Sequence, residues 1–407
     1  LRRLLQLIGE AYLLGSAALA FLLMAFSIVG ARWSRTPVLI AAIAIIVIAA
    51  LVIRRQGPFE GADLGWANLI DLFTLTLIAG YARVTLLAPP AEPDFYAIWG
   101  VKAKQFFVNG GIDWRFLQDP LNFPLHVDYP VLVPLLYDVQ TLLIGGWPNE
   151  RWFGLIHIAA SLAALLVIRG LLGDEMPKLA RATATLILMP LIFSPYFGLA
   201  EGLLTVYGAL ALLFLRRAVD DGDGASAWRG AVYLGLAASC KNEGLTLAVA
   251  AAIAIVLTRP RFITRLWPAI VIVLPWLAMR SHYGLRNDLA QAGAFDRFMD
   301  RVEHPGTMLR ALYEVPHGSA LFWIGVLLAC AIGLRRLIRE ERFLAIAIVV
   351  QFLFFIGAYL VTPNEIVWHV RTSWERIVRQ LLPSIALLAL LITVIRFRPE
   401  NTNATDP

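Results

Sequence analysis

Residues 91–134, AEPDFYAIWGVKAKQFFVNGGIDWRFLQDPLNFPLHVDYPVLVP, form a polar stretch inside an otherwise apolar chain. Glu92, Asp94, Lys102, Lys104, His126 and Asp128 stand here between two membrane-like regions, interleaved with Trp and Tyr. Proline marks both borders, at Pro89-Pro90 and at Pro130 and Pro134. The chain is therefore expected to leave one helix, cross a surface and re-enter another. Taken over 88–150, a loop of about 60 residues between membrane helices points to a binding or catalytic role.

Taken whole, the 407-residue chain is 59% hydrophobic and only 16% charged, with a mean hydropathy of +0.70. Soluble domains run at about 45–50% apolar and roughly 25% charged. The sequence is that of an all-α polytopic membrane protein, long enough for about 12 transmembrane helices at roughly 20 residues per crossing. Its partner is accordingly a lipid bilayer. The formal charge of +6 gathers in short connectors between apolar runs, as in cytoplasmic loops. No basic stripe interleaved with stacking aromatics lies outside the membrane, which argues against nucleic acid. Cys240 and Cys330 fall in apolar runs toward opposite faces, so no disulfide is expected.

Apolar runs at Ala11–Val29, Pro37–Ile53 and Trp66–Leu87 read as three spanning helices bracketed by arginine. The first is too long for a signal-peptide core and reads as a retained helix; the chain begins at Leu1 rather than Met, which leaves the native start open. Val131–Gly146 contains Asp138 and Gln140, and charge placement favours an interfacial helix there. Further spans are expected at Trp152–Leu172, Ala182–Phe197, Glu201–Leu215, Gly230–Cys240, Leu245–Leu257, Leu266–Met279, Ala320–Leu334, Phe343–Val361 and Leu381–Ile395. With both ends inside, the polar stretch and all six histidines, from His126 to His317 and His369, face the outer side.

No GxxxxGK[ST], GxGxxG or GxSxG occurs, so nucleotide-driven transport and serine hydrolysis lack support. No histidine pair has the i, i+4 spacing of a helical zinc site, and no cysteine stands beside one. No cofactor is expected, although a divalent ion held without recognisable spacing stays open. The informative groups are ionisable side chains in apolar settings. Glu201 starts an apolar run, where a carboxylate is costly unless paired or hydrated; the plain alternative is a helix-starting acid near the N-terminal dipole. Lys241-Asn242-Glu243 reads equally as a ligand contact or as a structural pair capping a turn. Near the end, Trp368, His369, Arg371, Arg376 and Arg379 precede the last helix. Arginine there is either an interfacial anchor or a two-point clamp on a phosphate.

The order of these segments resembles the GT-C membrane glycosyltransferases, including protein O-mannosyltransferases and lipid A aminoarabinose transferases. In those families an acidic pair opens the first outer loop and a Pro-containing segment closes it. Glu92 and Asp94 stand in the first place, and His126-Val127-Asp128-Tyr129-Pro130 in the second. Glu201, GLAASCKNEGL, LPWLAMRSHYG and RIVRQLLP extend the resemblance over roughly Trp66 to Arg398. It implies a GT-C-like catalytic module over 66–398; two additional transmembrane helices over 1–65 depart from the family pattern, and a cytoplasmic tail is expected over 399–407. It further implies an inverting transferase of the plasma (inner) membrane, with its site facing outside or the periplasm. The donor would be a polyprenyl-phosphate-linked sugar. With no outer carboxyl-terminal domain in the sequence, the acceptor is expected to be small or lipid-linked. Asp94 would be the general base, assisted by Glu201 and Glu92. Lys241 and Arg376 or Arg379 would hold the departing lipid phosphate, and Lys102, His126, Asp128, Tyr129, Glu243 and His369 would complete the substrate site. The acidic residues are spaced E-P-D rather than adjacent, which leaves open which carboxylate is the base. The competing readings are a secondary transporter, for which no internal repeat is found, and a non-catalytic subunit that binds polyprenyl lipids.

Overall fold

The computed structural model describes residues 2–55, 66–88, 90, 92–193, 198–287, 293–315 and 319–394. The tail assigned to 399–407 and His317 lie outside the described residues. Every regular element among the described residues is helical. The amino-terminal part holds α1 (Arg2–Ile28), α2 (Arg35–Arg54) and α3 (Trp66–Leu87). The polar stretch follows as a π-helical turn, Phe95–Trp99, then α4 (Gly100–Asn109), α5 (Trp114–Gln118) and α6 (Leu132–Ile144). Next come α7 (Gly154–Leu171), α8 (Lys178–Ile192), α9 (Glu201–Asp221), α10 (Gly224–Ala238) and α11 (Asn242–Thr258). The remainder comprises α12 (Trp267–His282), α13 (Ala294–Glu303), α14 (Gly306–Glu314), α15 (Ala320–Ile332) and α16 (Leu334–Arg339). It closes with α17 (Arg342–Val361), α18 (Ile366–Arg379) and α19 (Leu382–Thr393).

Each of the twelve apolar runs read as a span overlaps one of these helices. Seven helices among the described residues are long and apolar enough to cross a bilayer by themselves, and α18 with α19, bent by 45°, makes an eighth. Three shorter apolar helices, α6, α11 and α15, accompany them. Helix α6, at 13 residues, is about 20 Å long and falls short of a hydrocarbon core about 30 Å thick.

At the centre runs α9, whose Leu203, Val206, Leu210, Leu213 and Phe214 are all buried. It packs on α7, α10, α11, α17 and α19. By contrast α2 leaves Ile40, Ile43, Ile46 and Ile48 exposed, and α3 leaves Leu69, Leu72, Phe73 and Leu75 exposed. Branched and aromatic side chains turned outward in this density suit a lipid-facing surface. The hairpin of α10 and α11 is unusually close: a Cβ on Gly244 would stand 2.0 Å from the Ala237 carbonyl oxygen, so only glycine fits.

One end of the bundle is clamped by charge. Arg216, near the end of α9, donates to Glu341 through Nε and Nη2 at 2.7 Å each, and to Glu175 through Nη1 at 2.7 Å. Asp220 stands 3.2 Å from the same guanidinium. A buried arginine is tolerated only when its charge and donors are met in this way. The clamp fixes the start of α17 against the end of α9, and hence where the far ends of both helices meet. Cys240 is buried, Cys330 is partly exposed, and both are free thiols.

Candidate functional site

At the other end of the same helices lies a cavity of about 240 Å³ lined by residues from the polar stretch, α11, α17 and α18. Asp94 reaches it from the residue before the π-helical turn. Such turns insert an extra residue into helical geometry and re-aim the side chains around them. Phe95 anchors the turn, buried against Tyr137 and Phe153. The Asp94 carboxylate caps no backbone amide; it accepts a hydrogen bond from Arg376 Nη1 at 2.6 Å. Arg376 comes from α18, 282 residues later. Its Nε is buried with no hydrogen-bond partner among the described residues.

Beside this pair sits a second charged group. Lys241, at the N-cap position of α11, donates to Glu201 Oε1 at 3.0 Å and pairs with Glu243 Oε1 at 2.7 Å. Glu201 opens α9 and also lies within Coulombic reach of Arg376. Charges of opposite sign thus alternate from Asp94 through Arg376, Glu201 and Lys241 to Glu243. Glu201 Oε2 is buried and unpartnered among the described residues.

The aromatic wall is built from the segment that closes the polar stretch. His126 adopts a left-handed backbone conformation, φ 49°, the one non-glycine residue to do so among the described residues. Lys102 Nζ donates to its carbonyl at 2.5 Å, and the ring stacks on Tyr129 with centroids 4.6 Å apart. Tyr129 in turn stacks on Trp99 at 5.7 Å. Lys102 lies behind this stack, 5.7 Å from the centroids of both Trp99 and Tyr129. Its burial lowers the ammonium pKa from 10.5 to about 7, against the opposing pull of Asp128. Asp128 is buried and accepts from Asn242 at 2.8 Å and Asn287 at 2.7 Å. It ties the polar stretch to the start of α11 and does not reach the cavity.

On the opposite wall, His369 Nδ1 is 2.8 Å from Thr362 Oγ1, and its ring meets the edge of Tyr359. Tyr359 shares a 2.8 Å hydrogen bond with Ser373. Of the residues picked from sequence, Asp94, His126, Tyr129, Lys241, Glu243, His369 and Arg376 line the cavity. Glu201 and Lys102 support it from behind, as does Asp128. Neither Glu92 nor Arg379 is among the cavity-lining residues. Arg379 pairs with Glu375 at 3.2 Å and borders a separate apolar groove of about 820 Å³, lined also by Phe322, Trp323, Phe352, Trp374 and Leu382.

Sequence reasoning named Asn242 only as the middle of Lys241-Asn242-Glu243, and passed over Asn287, Tyr359, Thr372 and Ser373. A signal existed for part of the set: His369, Thr372, Ser373 and Arg376 recur at helical spacing and make one polar stripe on α18. For Asn287 and Tyr359 there was none, since each is brought in only by tertiary packing. Among the described residues no three His, Cys, Asp or Glu side chains gather closely enough to hold a metal ion. Comparisons with protein-family models, with curated proteins and with solved structures find no match to this chain.

Proposed function

We propose that the protein is an inverting glycosyltransferase that moves a sugar from a polyprenyl-phosphate donor to an acceptor hydroxyl at the outer membrane face. The chain crosses the membrane twelve times with both ends inside, and the cavity opens outward. The observation that carries this reading is the Asp94–Arg376 pair in the cavity wall, with Arg376 Nε left unpartnered. A carboxylate and a guanidinium from opposite ends of the chain are held together where neither serves a helix cap.

A donor phosphate competes with Asp94 for the in-plane N–H donors of Arg376. Asp94, released from the pair, accepts the proton of the acceptor hydroxyl. The hydroxyl oxygen attacks the anomeric carbon, and the bond from that carbon to the phosphate oxygen breaks. The electron pair leaves with the lipid phosphate, whose charge Arg376 and Lys241 stabilise. Glu201 keeps Lys241 and Arg376 in register. The Trp99–Tyr129–His126 stack supplies a flat wall of the kind that packs against a sugar ring, and the apolar groove beside Arg379 suits the polyprenyl chain.

A purified-protein assay with a labelled lipid-linked sugar tests the proposal directly. Transfer of label to an acceptor supports it. Donor binding without transfer would point to a non-catalytic lipid-binding subunit, and counter-flow of a solute in proteoliposomes to a transporter.

A further inference from the structure

Helices α9, α11 and α17 each run from the outer cavity to a second opening at the far end of the bundle. Glu201, Asn242 and Tyr359 lie near the first, and Asp220, Thr258 and Arg342 border the second. At 1.5 Å per residue the two are about 25–30 Å apart, on opposite faces of a bilayer. The second opening encloses about 670 Å³ and is walled by Arg259, Arg336, Arg339 and Arg342, together with Asp220 and Glu340.

The charge balance there is unusual. Arg259 donates to the carbonyls of Val219 and Asp220 at the end of α9, and Arg336 donates to Val394 O at 2.7 Å. Carbonyl acceptors fix these guanidinium groups without carrying a full opposing charge. Asp220 is already engaged by Arg216. Among the described residues none of the four arginines forms an ion pair with a carboxylate. Four arginines against two carboxylates leave the recess net positive, a surface that attracts an anion. The rim indicates which anion: α16 sets Arg336 and Arg339 beside exposed Leu334 and Ile338, directly after exposed Ile332 of α15. Cation and apolar surface side by side at a membrane boundary match a phosphate headgroup with its acyl chains.

We propose that this recess is a binding site for the phosphate headgroup of an anionic phospholipid in the inner leaflet. It is separate from the outer cavity, and its occupancy does not depend on sugar transfer. The test uses the full chain purified in detergent and titrated with phosphatidylglycerol or phosphatidylcholine, with bound lipid counted by native mass spectrometry. Phosphatidylglycerol should bind about tenfold or more tightly than phosphatidylcholine. The exposed pair R339Q/R342Q should lose that preference, whereas R335Q, an exposed arginine outside the recess, should keep it. Inorganic phosphate shares the chemistry: failure of millimolar phosphate to displace the lipid supports a headgroup site, and ready displacement would reassign the recess to a soluble anion. Equal binding of the two lipids, or an R339Q/R342Q variant that binds like the wild type, would overturn the proposal and leave the arginines as a topology signal only.

Discussion

Replacing Arg376 by Lys separates a phosphate clamp from a structural ion pair. The Asp94–Arg376 pair is short, at 2.6 Å, but its side chains are 30% and 34% exposed. Partly solvated pairs contribute at most about 1 kcal/mol, and Lys keeps the charge, so the cost to stability should stay below that. Catalysis should respond far more strongly. An ammonium cannot offer a phosphate the planar two-point contact of a guanidinium, nor replace the Nε donor. Loss of one charge-stabilising donor at a transition state costs about 3 kcal/mol, or roughly 10²-fold in turnover. Transfer from labelled lipid-linked sugar, measured beside the melting temperature of each purified variant, reads both quantities. Arg379→Lys serves as the internal comparison, because Arg379 faces the groove and should tolerate the change. Full turnover by Arg376→Lys at normal stability would refute the role assigned to this guanidinium.

The remaining predictions concern orientation, pH and packing. With Cys240 and Cys330 replaced, Asp94→Cys should react with an impermeant thiol reagent in intact cells and Arg261→Cys should not; the reverse pattern would invert the topology. Lys102 titrates near 7 in the folded protein against 10.5 when unfolded, so between these values the unfolded chain binds the extra proton and stability rises with pH. From pH 7 to 9 the gain from this group is on the order of 2 kcal/mol, seen as a rising melting temperature that Lys102→Met should flatten; an identical slope in both proteins would contradict the assignment. Gly244→Ala drives a methyl group into the Ala237 carbonyl and should destabilise the fold by about 3 kcal/mol, while an unchanged melting temperature would show that the hairpin can spread.

Hydropathy alone located the helices, because burial in lipid demands long uninterrupted apolar runs, and each expected run has its helix. Their number as independent spans was less legible: α8, α10, α11 and α15 are only 13 to 17 residues long, and a helix sheltered by protein need not span the full apolar thickness alone. The cavity was partly legible for a physical reason. Charges such as Asp94, Lys241 and Arg376 stand out against an apolar background, and costly groups persist where they are paired. What sequence did not provide is the pairing itself. That Arg376 rather than Arg379 meets Asp94 depends on how α18 rotates against α17. That Asp128 serves as a knot rather than a wall depends on Asn242 and Asn287, neither of which carries charge to draw attention. Lys102 is a site residue by the family resemblance alone; its ammonium lies 5.7 Å from the centroid of Trp99, which lines the cavity, but on the side away from the opening.

The most direct measurement of the central claim is the transfer rate of purified Asp94→Asn protein, with donor binding measured on the same sample. Asparagine keeps the size of the side chain and can still accept a hydrogen bond from Arg376, yet it cannot take the acceptor's proton. Turnover should therefore fall by about 10²-fold or more while donor binding is largely retained. Near-normal transfer by Asp94→Asn with a dead Glu92→Gln would move the base to Glu92, and near-normal transfer by both would contradict the mechanism.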